Sequence, residues 1–496
     1  MCKVVTVHEA VTHINDNDIL AISGMLFVAG CEPFYEALES RFLSQAHPQK
    51  LTLYAASSIG SPYVPGWPPD MANRLAHKGL VSKIITSLYS TMPSFHESIH
   101  NDDIEAYLVP QGTFSQIVAS AARRIPYTIT QVGLHTYVDP RCQGGKLNDV
   151  SREDLCEVVS IGNEEFLSYK TIYPNVCIIR GTSVDRNGNI TFEEECGEFD
   201  ALQMAMATKN NNGTVIVQVK KQIEGRSDPQ LVRLPSALVD FVYVYPNQSL
   251  TLFGKYDPRM NGADWTDDAY FEQTASYLTA LSENNRDIIY RACAELKSGY
   301  VVNLGIGTPY PIGLISKQVG IKDVHFTNEI GLFGGYGNFR TFGLNFNTDM
   351  MMSQGAIKNF YEGGGLDISF AGALEVDIYG CVNVLRTENR LFGIGGFNSI
   401  THNAKEVVFC FDFLDKYGKC KIVDAVRCIN YTPHYKPDYQ KVLYITERCV
   451  LELQDGVLVI TEINPKYDLE KDILPYLNPE IKCNVRRSLY GTFCNC

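Results

Sequence analysis

The sequence predicts an α/β fold, with two related open domains and mostly parallel sheets. Short apolar runs alternate along the chain with longer amphipathic stretches, the pattern of strands and helices in such folds. Glycine-rich segments follow several apolar runs, as loops do at the ends of parallel strands. The 496-residue length exceeds what one hydrophobic core normally organises, which favours two large domains.

Apolar runs that fit buried strands occur throughout the chain. The clearest examples lie at residues 19–22, 215–217, 300–302 and 407–410. Residues 450–462 contain Asp455-Gly456 between two runs rich in strand-forming residues, which predicts a hairpin.

One helix is predicted over residues 284–297. Gly299, just beyond it, is a typical stop signal for a helix. The apolar residues of this segment recur at helical spacing and would form one buried face, and they are Ile288, Ile289, Ala292 and Leu296.

A polar, turn-rich stretch separates the two predicted domains. Residues 249–283 show little periodicity and contain Asp257-Pro258 and Asn261-Gly262, which are both turn signals. We therefore predict one α/β domain over residues 1–260 and a second over residues 280–496.

Short patterns recur between the two halves, which favours an internal duplication. Val184-Asp185-x-x-Gly188 returns 192 positions later as Val376-Asp377-x-x-Gly380. Gln131-Val132-Gly133-Leu134 resembles Glu329-Ile330-Gly331-Leu332, which lies 198 positions later. Only the second half would then own a reactive carboxylate, and a single active site would lie between two similar domains.

The composition is typical of an ordinary globular protein, and the charge limits which classes of partner the protein is expected to bind. The formal charge of -13 disfavours nucleic acid or an anionic membrane as the main partner, although a small basic pocket for an anionic ligand remains compatible with it. No apolar run approaches the roughly 18 residues that a membrane-spanning helix needs, and the N-terminus shows no targeting signal. We expect a cytoplasmic protein.

Cysteine usage predicts reduced thiols and no metal site. The 15 cysteines include neither a CxxC pair nor a zinc-like spacing. Cys494 and Cys496 lie at the end of the chain, where a frayed terminus is a simpler explanation than metal binding.

Glu329 is the candidate reactive group. It follows a short, partly apolar segment that fits a strand, and Gly331, Gly334 and Gly335 come soon after it. Glycine lets a backbone N–H approach a substrate atom without a side chain in the way. A carboxylate placed there can act as a nucleophile or a base without a metal, but the segment alone fits an ordinary glutamate beside a turn better.

Other glycine loops of the second half offer N–H groups that could stabilise an oxyanion. They include Gly305-Ile306-Gly307 after an apolar run and Gly393-Ile394-Gly395-Gly396 ahead of Lys405. The first of these lacks the third glycine of a dinucleotide-binding fingerprint. Lys405 fits a phosphate contact and a solvated surface charge equally well.

The order of these segments resembles the family I coenzyme A (CoA) transferases of the single-chain type, which act on short-chain fatty acids or 3-keto acids. The resemblance extends in order from about residue 15 to about residue 475. The segments that carry it in the second half are Asn303-Leu304-Gly305-Ile306-Gly307, Glu329-x-Gly331, Phe360-Tyr361-Glu362-Gly363-Gly364-Gly365-Leu366-Asp367, Gly395-Gly396-Phe397 and Tyr444-Ile445-Thr446-Glu447-Arg448. Those in the first half are Ser23-Gly24, Pro110-Gln111-Gly112, Val138-Asp139-Pro140-Arg141, Gly144-Gly145-Lys146-Leu147-Asn148, Ile179-Arg180-Gly181-Thr182 and Ile216-Val217-Gln218-Val219-Lys220.

The resemblance implies a ping-pong transfer of CoA between a short-chain acyl-CoA and a carboxylate acceptor. Glu329 would attack the thioester, pass through an acyl-glutamyl anhydride and become a glutamyl-CoA thioester. CoA would be a substrate, and no cofactor would be bound permanently. The partners implied are small molecules of short-chain fatty acid or ketone body metabolism, with neither nucleic acid nor membrane, in a homodimer or homotetramer.

The resemblance also implies which residues bind. N–H groups near Ile306 and at Gly395 and Gly396 would form the oxyanion hole. Gln111 would orient the carboxylate substrate, although a loop hydrogen bond explains Gln111 equally well. The residues expected to bind CoA are Gly305, Ile306, Gly307, Gly395, Gly396 and Lys405.

Two residues depart from the family pattern. Ile330 stands where relatives usually carry a small polar residue, and His402 stands where they tend to carry glutamine. Ile330 would make the floor of the site more apolar. Neither change removes a group that the chemistry needs.

Two other functions fit the same sequence. In an acyl-CoA hydrolase on this scaffold, water would resolve the thioester, so CoA would be released without an acceptor. A catalytically silent metabolite-binding protein would bind CoA without turnover, and Glu329→Ala would leave its binding unchanged.

Overall fold

The computed structural model describes residues 2–26, 28–61, 70–248, 256–265, 280–337 and 344–492. The chain divides into two compact units, and each has a mixed α/β architecture around a mostly parallel sheet, which confirms the predicted fold class. The domain ranges 1–260 and 280–496 stay predictions. The first unit comprises Met1–Asn261, Met351–Ile357 and Leu391–Gly396, and the second comprises Gly262–Met350, Lys358–Arg390 and Phe397–Cys496.

Parallel strands form the main sheet of the first unit. Every neighbouring pair along its main path is parallel, and the strand Val176–Val184 is buried at all nine positions. A parallel strand covered on both faces needs apolar residues throughout, which explains the unbroken apolar runs of the sequence. In order across the sheet, the strands are Lys3–Val4, Phe241–Val244, Thr214–Gln222, Val176–Val184, Ile19–Ile22, Leu51–Ala55, Val81–Thr86 and Glu105–Leu108, with Ile190–Thr191 and Val232–Leu234 paired antiparallel off this path.

Helices and a small antiparallel sheet complete the first unit. The helix Val7–Val11 starts with a capping box, in which Thr6 and Glu9 satisfy each other's backbone N–H groups. The small sheet consists of Tyr127–Thr130, Glu164–Lys170 and Cys156–Ile161 in that order. The other helices described in this unit are Glu32–Gln45, His96–His100, Gln111–Ala122 and Ala201–Asn210, with 3-10 turns at Met71–Leu75, Pro93–Phe95, Ser236–Leu238 and Pro258–Met260.

The second unit has a parallel centre with antiparallel additions. The parallel strands, in order, are His325–Asn328, Val301–Leu304, Ile368–Gly372, Glu406–Cys410 and Lys441–Ile445. Leu332–Phe333 pairs antiparallel with the first of them, and Cys449–Gln454 and Val457–Ile463 follow the last, with Lys482–Cys483 at the edge. Met350–Met351 lies beside Leu332–Phe333 at the other edge of this sheet. Further short strands are Tyr336–Gly337, Asn345–Phe346, Glu375–Asp377, Val382–Asn383 and Ile422–Val423. The helices are Glu283–Cys293, Ile312–Gln318, Gln354–Glu362 and Phe397–His402, with single turns at Pro433–Tyr435, Leu469–Ile473 and Leu474–Tyr476.

The helix predicted over residues 284–297 is shorter than the sequence suggests. It extends over Glu283–Cys293, and the Ser282 side chain caps its start by accepting the Asn285 N–H at 3.2 Å. Beyond Cys293, N–H groups bond to carbonyls three residues back, so the chain tightens into turns instead of continuing the helix. The predicted apolar face is confirmed, because all four of its residues belong to the core of the unit.

The predicted hairpin near the C-terminus is confirmed. Cys449–Gln454 and Val457–Ile463 pair antiparallel around a two-residue turn. Asp455 and Gly456 adopt φ angles of 52° and 84°, which is the left-handed backbone that a tight hairpin requires.

The two turns that suggested duplication share their hydrogen bonds. The Asp185 carboxylate accepts the N–H groups two and four residues later, and so does the Asp377 carboxylate. Gly188 and Gly380 have φ angles of 83° and 80°. Each turn joins two antiparallel strands, Val176–Val184 to Ile190–Thr191 in the first unit and Glu375–Asp377 to Val382–Asn383 in the second. The likeness of sequence is therefore a likeness of local structure.

Several expectations concern the chain as a whole. Every cysteine that the structure describes is a free thiol, whereas Cys494 and Cys496 lie outside the described residues. The predicted connection over residues 249–283 also falls partly outside them, at 249–255 and 266–279. Among the described helices, none combines the length and apolar character needed to cross a membrane.

Candidate active site

A tight turn presents Glu329 at the end of a strand. The strand His325–Asn328 ends immediately before it, and the Asn328 side-chain oxygen accepts the Ile330 N–H at 3.1 Å. The Asn328 carbonyl accepts the Gly331 N–H at 3.1 Å. Gly331 has a φ of 108°, a conformation that residues with a side chain rarely adopt. The turn therefore fixes the backbone on both sides of the carboxylate.

Burial differs sharply between Glu329 and its neighbour. The Glu329 side chain is 17% exposed, whereas Ile330 is fully buried. Consecutive side chains thus point in different directions, with the apolar one inside the unit and the carboxylate partly exposed. Ile330 therefore packs inside the unit, and its contribution to an apolar floor of the site stays a prediction.

A buried lysine lies beside the carboxylate. The Lys358 Nζ atom is 3.6 Å from Glu329 Oε2, and the Lys358 side chain is 0% exposed. The same ammonium lies 5.6 Å from the centre of the Tyr361 ring, one turn further along the helix Gln354–Glu362. A cation this close stabilises negative charge on a carboxylate, and solvent screens a buried pair only weakly.

Beneath this pair, buried polar side chains form a network. The Tyr361 hydroxyl donates to Thr327 Oγ1 at 2.9 Å and accepts from the Asn303 amide at 3.3 Å. Burial raises the pKa of Tyr361, and the negative charge of Glu329 raises it further. The phenol is therefore neutral at physiological pH and acts as a fixed hydrogen-bonding group between adjacent strands.

A glycine loop lies at the same sheet edge as Glu329. The strand Val301–Leu304 is the parallel neighbour of His325–Asn328, so Gly305 and Glu329 both follow carboxyl ends of strands. A Cβ at Gly305 would lie 2.9 Å from the Phe370 carbonyl oxygen, so a larger residue does not fit. In the described part of the chain, no hydrogen bond engages the Ile306 N–H. The loop can therefore offer a backbone donor.

Two predicted site residues of the first unit, Gln111 and Gly395, are in contact. Gln111 begins the helix Gln111–Ala122 shortly after the strand Glu105–Leu108, and its N–H donates to the Gly395 carbonyl at 3.2 Å. Its buried side-chain amide donates to Met25 Sδ at 3.1 Å, which is a weak acceptor. Among the described residues, the Gln111 Oε1 atom has no hydrogen-bond partner. The side chain thus retains hydrogen-bonding capacity.

Of the two glycines expected to donate to an oxyanion, one is already engaged. The Gly395 N–H donates to the Ser87 carbonyl at 2.9 Å. No hydrogen bond among the described residues uses the Gly396 N–H. Gly396 is therefore the better donor candidate of this pair.

The structure separates Lys405 from Glu329. Lys405 precedes the strand Glu406–Cys410, whereas Glu329 follows the strand His325–Asn328, and these strands run parallel in one sheet. Lys405 consequently lies at the amino ends of the parallel strands, whereas Glu329 lies at their carboxyl ends. The Lys405 ammonium is 61% exposed and pairs with Asp367 at 2.7 Å. This placement fits a surface charge, and a contact between Lys405 and a remote part of CoA stays a prediction.

His402 ends the helix Phe397–His402, and burial lowers its pKa. Within the described ranges, no cluster of histidine, cysteine, aspartate and glutamate could hold a metal ion.

Sequence reasoning missed Lys358 and assigned no role to Tyr361. The motif quoted for the family begins at Phe360, two residues beyond Lys358, and a lone lysine on a helix is usually a solvated charge. One signal was available: Lys358 and Tyr361 are three positions apart and so share a helix face, which Tyr361 marks as apolar. A lysine on such a face needs a buried partner.

Comparison with known proteins identifies the family. The profile of the family described as Coenzyme A transferase matches residues 4–245. The chain is 32% identical to a caffeate CoA-transferase of Acetobacterium woodii, with 99% of this chain and 98% of that protein covered. It is 33% identical to the acetate CoA-transferase YdiF of Escherichia coli strain K12, with 97% and 93% covered.

Solved structures agree with these sequence matches. The crystal structure of an acyl-CoA transferase (YdiF) apoenzyme from Escherichia coli O157:H7 superposes with a TM-score of 0.88 at 31% identity, covering 97% of this chain and 95% of that one. A thioester complex of the same enzyme with CoA superposes with a TM-score of 0.87 over the same shares. Together, these likenesses show that the chain belongs to the family I coenzyme A transferases, enzymes that transfer CoA between acyl-CoA thioesters and acids.

Proposed function

We propose that this enzyme transfers CoA between a short-chain acyl-CoA and a carboxylate acceptor through a covalent CoA thioester on Glu329. The observation that carries the proposal is the Glu329 turn, which holds a partly exposed carboxylate at the same sheet edge as the Gly305 loop. A nucleophile with backbone donors nearby is the arrangement that acyl transfer requires.

The proposed chemistry moves one acyl group and one thiolate. A Glu329 carboxylate oxygen attacks the thioester carbonyl, the C–S bond breaks, and CoA leaves as a thiolate. The thiolate then attacks the glutamyl carbonyl of the resulting anhydride and expels the carboxylate of the acid. An acceptor carboxylate repeats the steps in reverse and restores Glu329, so one thioester is exchanged for another without ATP.

Backbone N–H groups are the proposed oxyanion donors. Ile306 and Gly396 each have an N–H that makes no hydrogen bond among the described residues, which supports their assignment. Gly395 is not proposed as a donor, because Ser87 already accepts its N–H. Removing one oxyanion donor typically lowers the rate by about 10²–10³-fold.

Gln111 is proposed to orient the carboxylate substrate. Its buried amide has a thioether sulfur as acceptor, and this weak bond is easily exchanged for one to a carboxylate. Loss of this contact should raise the KM for the acceptor acid more than it lowers kcat.

The substrate class remains a proposal at the level of short acids. The two relatives named above are an acetate CoA-transferase and a caffeate CoA-transferase, so family membership is compatible with very different acyl groups. An acceptor panel of acetate, propionate, butyrate, acetoacetate, succinate and caffeate, assayed against acetyl-CoA, decides the preference. A homodimer or homotetramer and a cytoplasmic location also stay proposals, which light scattering and cell fractionation test.

Trapping the covalent intermediate tests the proposal. The enzyme is incubated with acetyl-CoA and reduced with borohydride, and its peptides are then examined by mass spectrometry. We expect reduction at Glu329 that depends on acetyl-CoA and is absent in Glu329→Gln. Active enzyme without a mark on Glu329 would overturn the mechanism. CoA release that needs no acceptor acid would instead favour hydrolysis.

A further inference from the structure

We propose that Lys358 sets the internal equilibrium of the enzyme, by favouring the free Glu329 carboxylate over its CoA thioester. This inference rests on the proposed role of Glu329 as nucleophile. Lys358 acts through Glu329, and nothing in the proposal requires it to touch substrate.

The Lys358 ammonium is paired with the Glu329 carboxylate, whose negative charge is lost when the thioester forms. The Lys358 ammonium is wholly buried and lies 3.6 Å from the Glu329 carboxylate, which is 17% exposed. Taking an ammonium out of water is costly, and a nearby carboxylate offsets much of that cost. The free enzyme therefore holds a compensated buried pair.

Charge balance shows what changes when the thioester forms. Glu329 carboxylate and acyl-CoA give glutamyl-CoA thioester and the free acid anion, so the negative charge leaves Glu329 with the released acid. The side chain of Lys358 stays buried on its helix and loses this counter-charge. The Tyr361 ring remains near the ammonium at 5.6 Å, but a ring face compensates a charge less than a carboxylate does.

This loss raises the free energy of the thioester relative to the free carboxylate. A less stable thioester accumulates less, and it reacts more readily with an acceptor carboxylate because the leaving glutamyl carboxylate regains its cation. Lys358 thus acts as a positioning and charge-balancing residue that keeps the intermediate from becoming a resting state.

A titration of the intermediate measures this equilibrium. Enzyme at fixed acetyl-CoA is equilibrated with increasing acetate, and the fraction carrying CoA on Glu329 is read by mass spectrometry of the denatured protein. The acetate-to-acetyl-CoA ratio at half occupancy equals the equilibrium constant for thioester formation. In Lys358→Met, which removes the charge and keeps an unbranched apolar side chain, we expect this ratio to rise about tenfold or more.

Three further variants separate charge from structure. Lys358→Arg keeps the charge and should hold the ratio within about threefold of the wild-type value. Lys358→Gln is the second neutral variant and should behave as Lys358→Met does, including where the methionine variant does not fold. The exposed Lys322 is the matched control, and Lys322→Met should leave the ratio unchanged.

The outcomes distinguish this inference from the proposed function. Absence of the CoA adduct in the wild-type enzyme and in both neutral variants, with acetyl-CoA in large excess over acetate, would overturn the nucleophilic role of Glu329. A wild-type adduct with an unchanged ratio in the neutral variants would overturn the role of Lys358 alone. A purely structural lysine would lower the unfolding temperature of the neutral variants without moving the ratio.

Discussion

Two turns of this chain share a sequence pattern and a backbone, yet only one carries a proposed nucleophile. The side chain of Thr130 accepts the N–H two residues later at 3.1 Å, and that of Asn328 does the same at 3.1 Å. Gly133 and Gly331, three residues after each acceptor, have φ angles of 93° and 108°. Gln131 of the first turn therefore occupies the position of Glu329 in the second.

What differs is the surroundings of each turn. Gln131 is exposed, its amide is 3.3 Å from a surface carboxylate, and its strand Tyr127–Thr130 forms the edge of a small antiparallel sheet. Glu329 follows a strand with a neighbour on each side in the large sheet, next to the Gly305 loop and a buried lysine. A local sequence pattern therefore specifies the turn, whereas the position of the turn in the sheet specifies what it can do.

The strongest test of this contrast exchanges the two residues. We expect Glu329→Gln to lower kcat by about 10⁴-fold or more, because an amide cannot form the proposed thioester. Gln131→Glu should leave the steady-state rate of acetyl-CoA transfer within about twofold of wild type. A Glu329→Gln enzyme that retains a tenth of its activity would contradict the contrast.

Gly133 and Gly331, the left-handed glycines of the two turns, provide a second test of the same contrast. Alanine strains the left-handed backbone at either position, so each variant should lose about 1–3 kcal/mol of unfolding free energy. Gly133→Ala also brings a methyl group against Val138, so it should lose unfolding free energy beyond this backbone strain. Only Gly331→Ala should lower kcat, by about 10–100-fold, because it displaces the carboxylate. Urea unfolding and initial rates measure both quantities, and equal losses of activity would break the distinction.

Removing the side-chain hydrogen-bond acceptor at the start of each turn, Thr130 or Asn328, should have a smaller effect on stability and kcat. Thr130→Ala and Asn328→Ala each remove one hydrogen bond from a side chain to the backbone, which costs about 1 kcal/mol of unfolding free energy. Asn328→Ala should also lower kcat about tenfold, since the Glu329 backbone is less well held. Thr130→Ala is its matched control in the transfer assay, where a similar loss of kcat would show that the effect is general destabilisation.

The smallest expected effect compares the ends of two helices. Asn210 and His402 lie 192 positions apart at the last residues of their helices. Burial lowers the pKa of His402, so the unfolded chain binds more protons than the folded one as the pH falls through about 6.5. The unfolding free energy should therefore fall more between pH 7.5 and 5.5 in wild type than in His402→Asn. Equal falls in urea titrations would show that His402 does not contribute.

Much of the fold and the placement of Glu329 could be predicted, because they depend on local sequence. Asp455-Gly456 specifies a hairpin by backbone preference alone, and Glu329 lies at a strand end as its glycine context suggests. The end of the helix at Cys293 was missed, because its final turns are set by hydrogen bonds that leave no strong sequence signal.

The rest of the candidate site depends on contacts across the sequence. Lys405 follows a glycine loop in the sequence, but the parallel sheet places it at the opposite end of the strands from Glu329. Gly395 looked like a donor, but its N–H is engaged by Ser87, some three hundred positions away in sequence. Neither outcome follows from spacing along the chain.

The α/β class, the left-handed glycines of the turns and the carboxylate at a strand end follow from the sequence, because each depends on the preferences of a few adjacent residues. Two features depend on the tertiary structure: which of the two similar turns follows the carboxyl end of a strand in the large sheet, and the 3.6 Å distance between Lys358 and Glu329. Residues 29 positions apart meet only when a strand and a helix pack together, and that packing free energy is distributed over the whole unit.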